Sequence, residues 1–377
     1  MKKLLLAATL ALGATVATAQ SSVTVFGILD TGFTGVTTRS TTSAGTTESN
    51  LNQFNQSGST PSRLGFRGVE DLGGGSSALF MIDMQLFPQD ARLSGPTQSG
   101  IVNRQTWVGL KRDGYGTAMI GTQFTPIFKQ LLKTDPGGAN DVVGSVIFPG
   151  SSYSGGVTTT AFTSRTSNTL QFQSDTFKGF SGGLMYSAKN QDTTQTGANT
   201  GGNTNIGGYG ISADYTWNKL YATAVYQKLS NENPTTTVTP VATAMTNDNG
   251  SNVNDSQQYA AVTYDFGRFK AYAQYINREA VSRLDSANYL KRQAQQIGVR
   301  GLVTPKVTAY ASIGNGRYQA FGSNNPTANF VGWQAGSEYA LSKRTALYTI
   351  VGSSHTSSTS SGAAGANQYA VGMRHTF

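Results

Sequence analysis

Phe269-Lys270-Ala271-Tyr272-Ala273-Gln274-Tyr275 alternates strictly between two unlike sets of side chains. Phe269, Ala271, Ala273 and Tyr275 fall on one face of an extended chain, and Lys270, Tyr272 and Gln274 on the other, because successive strand side chains point to opposite sides. The same period recurs in Leu220 to Gln227, where Leu220, Ala222, Ala224 and Tyr226 share a face. It recurs again where Val307, Ala309, Ala311 and Ile313 stand against Lys306, Thr308, Tyr310 and Ser312. One such strand fits a soluble sandwich as well as a barrel. The connections separate the two.

Seven short turn signals can be read, at Asp71 to Gly75, Arg112 to Gly116, Thr176 to Gly179, Trp217 to Lys219, Asp265 to Arg268, Thr304 to Lys306 and Ser342 to Arg344. Between and outside them lie eight long stretches rich in Ser, Thr, Asn and Gly, at about 34–61, 88–103, 125–164, 190–208, 229–256, 279–293, 316–330 and 353–366. Seven short and eight long connections predict sixteen strands. Their regular alternation trims one end of the structure and elaborates the other, the asymmetry of a transmembrane β-barrel with tight periplasmic turns and long outer loops. The expected fold is therefore all-β, a 16-stranded antiparallel barrel of a size that encloses water.

Composition narrows the chemistry. The 377 residues include no Cys and two His, which removes thiol catalysis, thiolate metal sites and disulfides and leaves little for a His-based metal centre. Charged residues make up 12%, about half the usual share, and the mean hydropathy of −0.28 excludes a bundle of membrane helices. Met1-Lys2-Lys3, the apolar run Leu4 to Val16 and Ala17-Thr18-Ala19 together read as a secretory signal, residues 1–19, cleaved before Gln20. Its removal takes two cations from the formal charge of +9. Residues 20–377 are then one barrel domain. The final strand, Tyr369 to Phe377, places Tyr369, Val371, Met373 and His375 on one face and ends on Phe377.

Particular motifs carry a family likeness. Val23-Thr24-Val25-Phe26-Gly27-Ile28-Leu29-Asp30 resembles the opening strand of the Gram-negative trimeric porins. Ser62-Arg63-Leu64-Gly65-Phe66-Arg67-Gly68-Val69-Glu70-Asp71-Leu72-Gly73 is similar to their second strand and first turn. Arg104 to Leu110, with Gly116-Thr117 to Thr125-Pro126, resembles the lead-in to their pore-constricting loop, and the C-terminal Phe377 resembles their assembly signal. Within the family the chain is most similar to neisserial and β-proteobacterial general porins. That resemblance implies an outer-membrane homotrimer among outer-membrane lipid and lipopolysaccharide, without a cofactor. Each barrel would be a passive diffusion channel for small hydrophilic solutes and ions, narrowed by an inward-folded third loop at about 125–164.

Selectivity in such a channel is a fixed electric field at a narrow aqueous passage. Parity puts Arg63 and Arg67 in the lumen, opposite in facing to Leu64 and Phe66, and gives Arg165 the face of Ser167, Thr169, Gln171 and Gln173. Lys270, Arg300 and Arg374 have lumen parity at unknown height. Arg104 shares parity with Thr106 and Val108, so its face stays open on parity alone. By resemblance, Arg63, Arg104 and Arg165 match the basic wall of porin constrictions. The opposing loop holds two acids, Asp135 and Asp141, against Lys129 and Lys133, and departs from the acidic pattern of the family. A net positive, anion-preferring passage is expected.

The alternatives are of other classes. A substrate-specific channel for anions such as phosphate or organic acids is the main rival, and a surface adhesin barrel is the next. An outer-membrane hydrolase would need a nucleophile beside a barrel His, for which His375 is the sole candidate; no enzyme activity is expected. Gly314-Asn315-Gly316-Arg317-Tyr318-Gln319-Ala320 fits a dinucleotide fingerprint only on paper, since no helix follows. His355 and His375 read as loop and outer-face residues, and Asn249-Gly250-Ser251 is a sequon by pattern alone. Nucleic acid is excluded as a partner by compartment, not by charge.

Overall fold

The computed structural model describes residues 22–56, 58–90, 101–149, 161–193, 202–232, 252–287, 289–321, 327–358 and 362–377. The expected signal segment and the Asn249 sequon lie outside them. In chain order the strands are β1 (Ser22–Thr42), β2 (Gly45–Gln56), β3 (Arg63–Gly73), β4 (Ser76–Gln85), β5 (Val102–Arg112) and β6 (Gly116–Phe124). The helix α1 (Pro126–Thr134) follows, then β7 (Arg165–Ser174), β8 (Phe180–Thr193), β9 (Gly202–Trp217), β10 (Leu220–Glu232) and β11 (Val253–Asp265). The chain continues with β12 (Phe269–Ser282), β13 (Tyr289–Thr304), β14 (Val307–Phe321), β15 (Ala328–Ala340), β16 (Thr345–Ser358) and β17 (Gly362–Thr376). Neighbours pair antiparallel all the way round, and β17 returns to β1 from Ile28↔Thr376 to Thr41↔Ala363, which closes the sheet. Closure leaves no edge for unwanted pairing.

Seventeen strands make sixteen wall positions. Both β2 and β3 pair with β1, at Thr31↔Gln56 and Ile28↔Arg63, so they form one wall strand, with an interruption whose described part is residues 58–62. Opposite this kink β1 offers only Leu29 and Asp30. The surplus backbone is satisfied by Asp30, fully buried, whose Oδ2 accepts the N–H groups of Ser59 at 3.0 Å and Thr60 at 2.7 Å while Oδ1 accepts from the Tyr348 hydroxyl at 2.6 Å. A carboxylate without such donors would be costly there.

All seven short turns join strands at one rim, and their side chains explain them. The Asp71 carboxylate accepts from Gly73 N–H at 2.8 Å, and that of Asp265 from Gly267 N–H at 2.7 Å. The long connections differ from the sequence reading. The stretch 34–61 is largely ladder, since β1 runs to Thr42 and β2 begins at Gly45 with only two residues between them. Parts of 190–208, 279–293 and 353–366 are likewise strand. Above the membrane both faces of a ribbon meet water, so the apolar alternation vanishes although the backbone pairing continues.

The two faces invert the order of a soluble protein. Ile297, Ile313, Val108 and Leu110 are exposed on the outer wall, while Gln274, Gln296, Gln334 and Gln368 are buried on the inner one. The apolar core lies within the lumen, where Phe124, Ile127, Phe128, Leu131, Ile147 and Phe162 pack on Tyr259, Ile276, Tyr318 and Phe330 of the wall. Helix α1 starts at Thr125, whose hydroxyl accepts from Phe128 N–H at 3.5 Å, with Pro126 in the first turn and Pro136 just past its end. Beyond it, residues 143–146 run against wall glycines. A Cβ on Gly352 would collide with the Val143 carbonyl oxygen, one on Gly332 with that of Gly144, and one on Gly314 with Val146. The Gly314-Asn315-Gly316 stretch is thus close-packing chemistry.

Candidate pore constriction

Several charged side chains on the inner face of the wall are aimed by breaks in the ladder. The kink at 58–62 turns back into β3 at Arg63, and it holds that side chain: Nε donates to the Pro61 carbonyl at 3.1 Å and Nη2 to the Thr60 hydroxyl at 2.9 Å. Across β4, Gly65 lies opposite Asp83, which puts Asp83 on the same inner face. Between β4 and β5 the register slips at Asp83/Met84, from Asp83↔Gln105 to Met84↔Asn103, and Arg104 is the extra residue. Such a bulge re-aims a side chain. Arg104 leaves the outward row of Thr106 and Val108 and turns inward, 2% exposed, with Nε 3.3 Å from Asp83 Oδ2. The open question of its face is resolved by one inserted residue.

Arg165 enters from β7, opposite Phe124. Its guanidinium lies 5.5 Å from the Phe124 ring centroid, and that of Arg104 lies 6.0 Å from the same ring. Among the described residues the buried Nε of Arg165 has no hydrogen-bond partner. Arg63, Arg104 and Arg165 lie within electrostatic reach of one another and of Asp83 and Asp141. Asp141 comes from the loop side. Burial pushes its carboxyl up to about 6, against the opposing pull of Arg104, Arg165 and Arg63. On α1, burial next to Lys133 brings the Lys129 ammonium down to about 8, and its Nζ donates to Gln171 of the wall.

Three guanidinium groups and two carboxylates therefore share this part of the lumen, while the charged neighbour felt by Lys129 is Lys133. Arg67 and Asp135, both expected at the constriction, lie elsewhere. Arg67 is exposed on the same face, its guanidinium 5.7 Å from the Phe26 ring centroid, four residues and about 13 Å from Arg63 toward the short-turn rim. Asp135 ends α1 and is buried; its carboxylate accepts from Ala139 N–H at 2.8 Å and Gln296 Nε2 at 3.3 Å, and the cation it feels is Arg300. Phe377 closes the barrel on the outer face: its carbonyl accepts from Gly27 N–H at 3.0 Å, its N–H donates to the Gly27 carbonyl at 3.1 Å, and its ring covers Gly27. Asp83 was not singled out from the sequence, although a lone acid in Leu79-Phe80-Met81-Ile82-Asp83-Met84 was visible. The heights of Arg300 and Arg374 are now defined by a shared partner, Glu338 of β15.

The family model described as Gram-negative porin matches residues 6–359. The chain is 32% identical over 209 residues to "Outer membrane porin protein 32" of Delftia acidovorans, covering 55% of each. It is 30% identical over 206 residues to a Bordetella pertussis outer membrane porin, covering 51% of this chain and 49% of that one. The chain thus spans about half the length of these two relatives. With "Major outer membrane protein P.IB" of Neisseria lactamica the match is 26% over 398 residues and covers both chains fully. Among solved structures, the "Anion-selective porin from Comamonas acidovorans" superposes with a TM-score of 0.70 at 21% identity, over 95% of this chain and 100% of that one.

Proposed function

The chain belongs to the Gram-negative porin family, and from that premise we propose that its barrel is a water-filled diffusion channel of the outer membrane for small hydrophilic solutes, with anions preferred. The observation that carries the preference is the cluster of Arg63, Arg104 and Arg165 around Phe124. Guanidinium groups stay charged at any working pH, and a passing ion comes within a Debye length, about 8 Å, of fixed charge. Asp83 and Asp141 reduce the positive field without cancelling it, and Lys129 adds to it. Arg67 would extend the positive wall toward the periplasm. Asp135, by contrast, serves the loop's own fold in this reading. The likeness to a protein described as an anion-selective porin agrees with it.

The same premise supports a homotrimer, surrounded by outer-membrane lipid and lipopolysaccharide, made from the chain after removal of residues 1–19. The β3–β6 wall suits a subunit contact: its strands are short, 9–11 residues, and its outer surface carries the small residues Gly68, Ala78 and Ala118 beside Val108 and Leu110. The test is single-channel recording in a KCl gradient. Wild type should show a reversal potential on the chloride side, and Arg63→Gln with Arg104→Gln should move it toward potassium. The shift should shrink in molar salt, where the Debye length is about 3 Å. A cation-selective wild type, or an unmoved double variant, would remove the arginines from this role.

A further inference from the structure

The two walls of the constriction meet, away from the eyelet, at one carboxylate. Glu338 of β15 receives Arg374 of β17 through both oxygens, Nη1 to Oε1 at 3.1 Å and Nη2 to Oε2 at 3.1 Å. The same Oε2 receives Arg300 Nη2 of β13 at 3.4 Å. Each arginine then reaches one wall. Arg374 Nη1 donates to Ser59 Oγ at 2.9 Å, within the kink whose next residues, Thr60 and Pro61, hold Arg63. Arg300 Nη1 donates to the Pro136 carbonyl at 3.1 Å, immediately past α1 and five residues before Asp141.

We propose that Glu338 is a positioning residue that fixes the separation of the two constriction walls, acting through Arg374 on the Arg63 kink and through Arg300 on the loop that carries Asp141. A planar guanidinium held at two nitrogens by a carboxylate has its remaining N–H aimed in a defined direction. Without the carboxylate, both arginines become long, solvated side chains free to change rotamer, and Ser59 and Pro136 each lose a fixed donor. Other anchors keep both walls folded: Asp30 on the kink, and Asn140, Gln296 and Gln334 on the loop. The expected consequence is therefore fluctuation of the gap rather than collapse. This inference rests on the channel reading above, since the gap matters only if ions pass through it.

Charge and position can be separated in planar bilayers. Glu338→Gln adds one net positive charge and should both raise open-channel current noise several-fold and deepen anion preference. Glu338→Gln with Arg374→Gln restores the net charge. There the reversal potential should return to wild type while the noise stays high. Arg300→Lys keeps the charge but lacks the planar fork that spans Glu338 and Pro136, so it should be noisy at an unchanged reversal potential, and it serves as a second route if a Glu338 variant fails to assemble. Quiet, wild-type-like currents in Glu338→Gln, or noise in that variant that disappears in the charge-restored double variant, would overturn the positioning role. Persistent noise in both the double variant and Arg300→Lys would establish it. A wild-type protein that does not conduct would overturn the channel reading and this inference together.

Discussion

Arg104 and Asp83 lie 3.3 Å apart because the ladder between β4 and β5 slips by one residue beside them. Both are nearly inaccessible, at 3% of side-chain surface each. Without the slip, Arg104 would stand in the outward row with Val108, where a charge facing lipid is expensive. The bulge therefore fixes both the electrostatics of the lumen and the compatibility of this strand with a membrane.

Asp83→Asn tests the neutralising half of that pair. A unit charge about 6 Å from an ion in water is worth about 0.7 kcal/mol, with opposite signs for chloride and potassium, so the chloride-to-potassium permeability ratio should rise roughly tenfold. Breaking a buried ion pair also destabilises, here by about 3 kcal/mol, visible as a lower unfolding temperature of the folded barrel. A permeability ratio that falls instead would mean that Asp83 serves to hold Arg104 and not to screen it.

The pH profile of selectivity has a definite sign. Below about 6, Asp141 takes up a proton and the constriction loses a negative charge, so anion preference strengthens. Above about 8, Lys129 loses its proton and a positive charge disappears, so anion preference weakens. Reversal potentials measured from pH 5 to pH 9 should drift steadily away from chloride. Asp141→Asn should abolish the acid limb alone, and Lys129→Gln the alkaline limb alone.

Gly352→Ala should disturb the lumen without touching a charge. The added Cβ would meet the Val143 carbonyl oxygen, which is backbone and cannot turn aside. Overpacking of this kind costs about 1–3 kcal/mol. Residues 143–146 should shift off the wall into the passage, giving a smaller single-channel conductance at nearly unchanged ion preference.

Deleting Phe377 removes the two backbone hydrogen bonds to Gly27 and the ring that covers it. Insertion into lipid vesicles should slow, and the unfolding temperature of the barrel should drop. Phe377→Ala keeps the backbone bonds, so comparison of the two variants apportions the effect between ring and ladder.

The strand parity, the seven short turns and the all-β barrel class were legible in the sequence. A lipid-facing row against a water-facing row imposes period two, and tight turns require Gly, Asn and Asp at fixed places. Arg63, Arg67 and Arg165 could be listed as lumen cations on parity or likeness, and Arg104 by likeness. Tertiary structure decided the rest. A bulge at Arg104 and a kink at 58–62 depend on how two strands align across space, which one strand's pattern does not contain. The same holds for the division of the loop acids, where Asp141 approaches the arginines and Asp135 is spent on the turn after α1. It holds most fully for Glu338, an unremarkable acid in its own strand, which gains a part only because β13, β15 and β17 carry Arg300 and Arg374 to it. Periodicity is a local property of a chain; the distance between two charged groups on different strands is set by register, and register exists only once the barrel has closed.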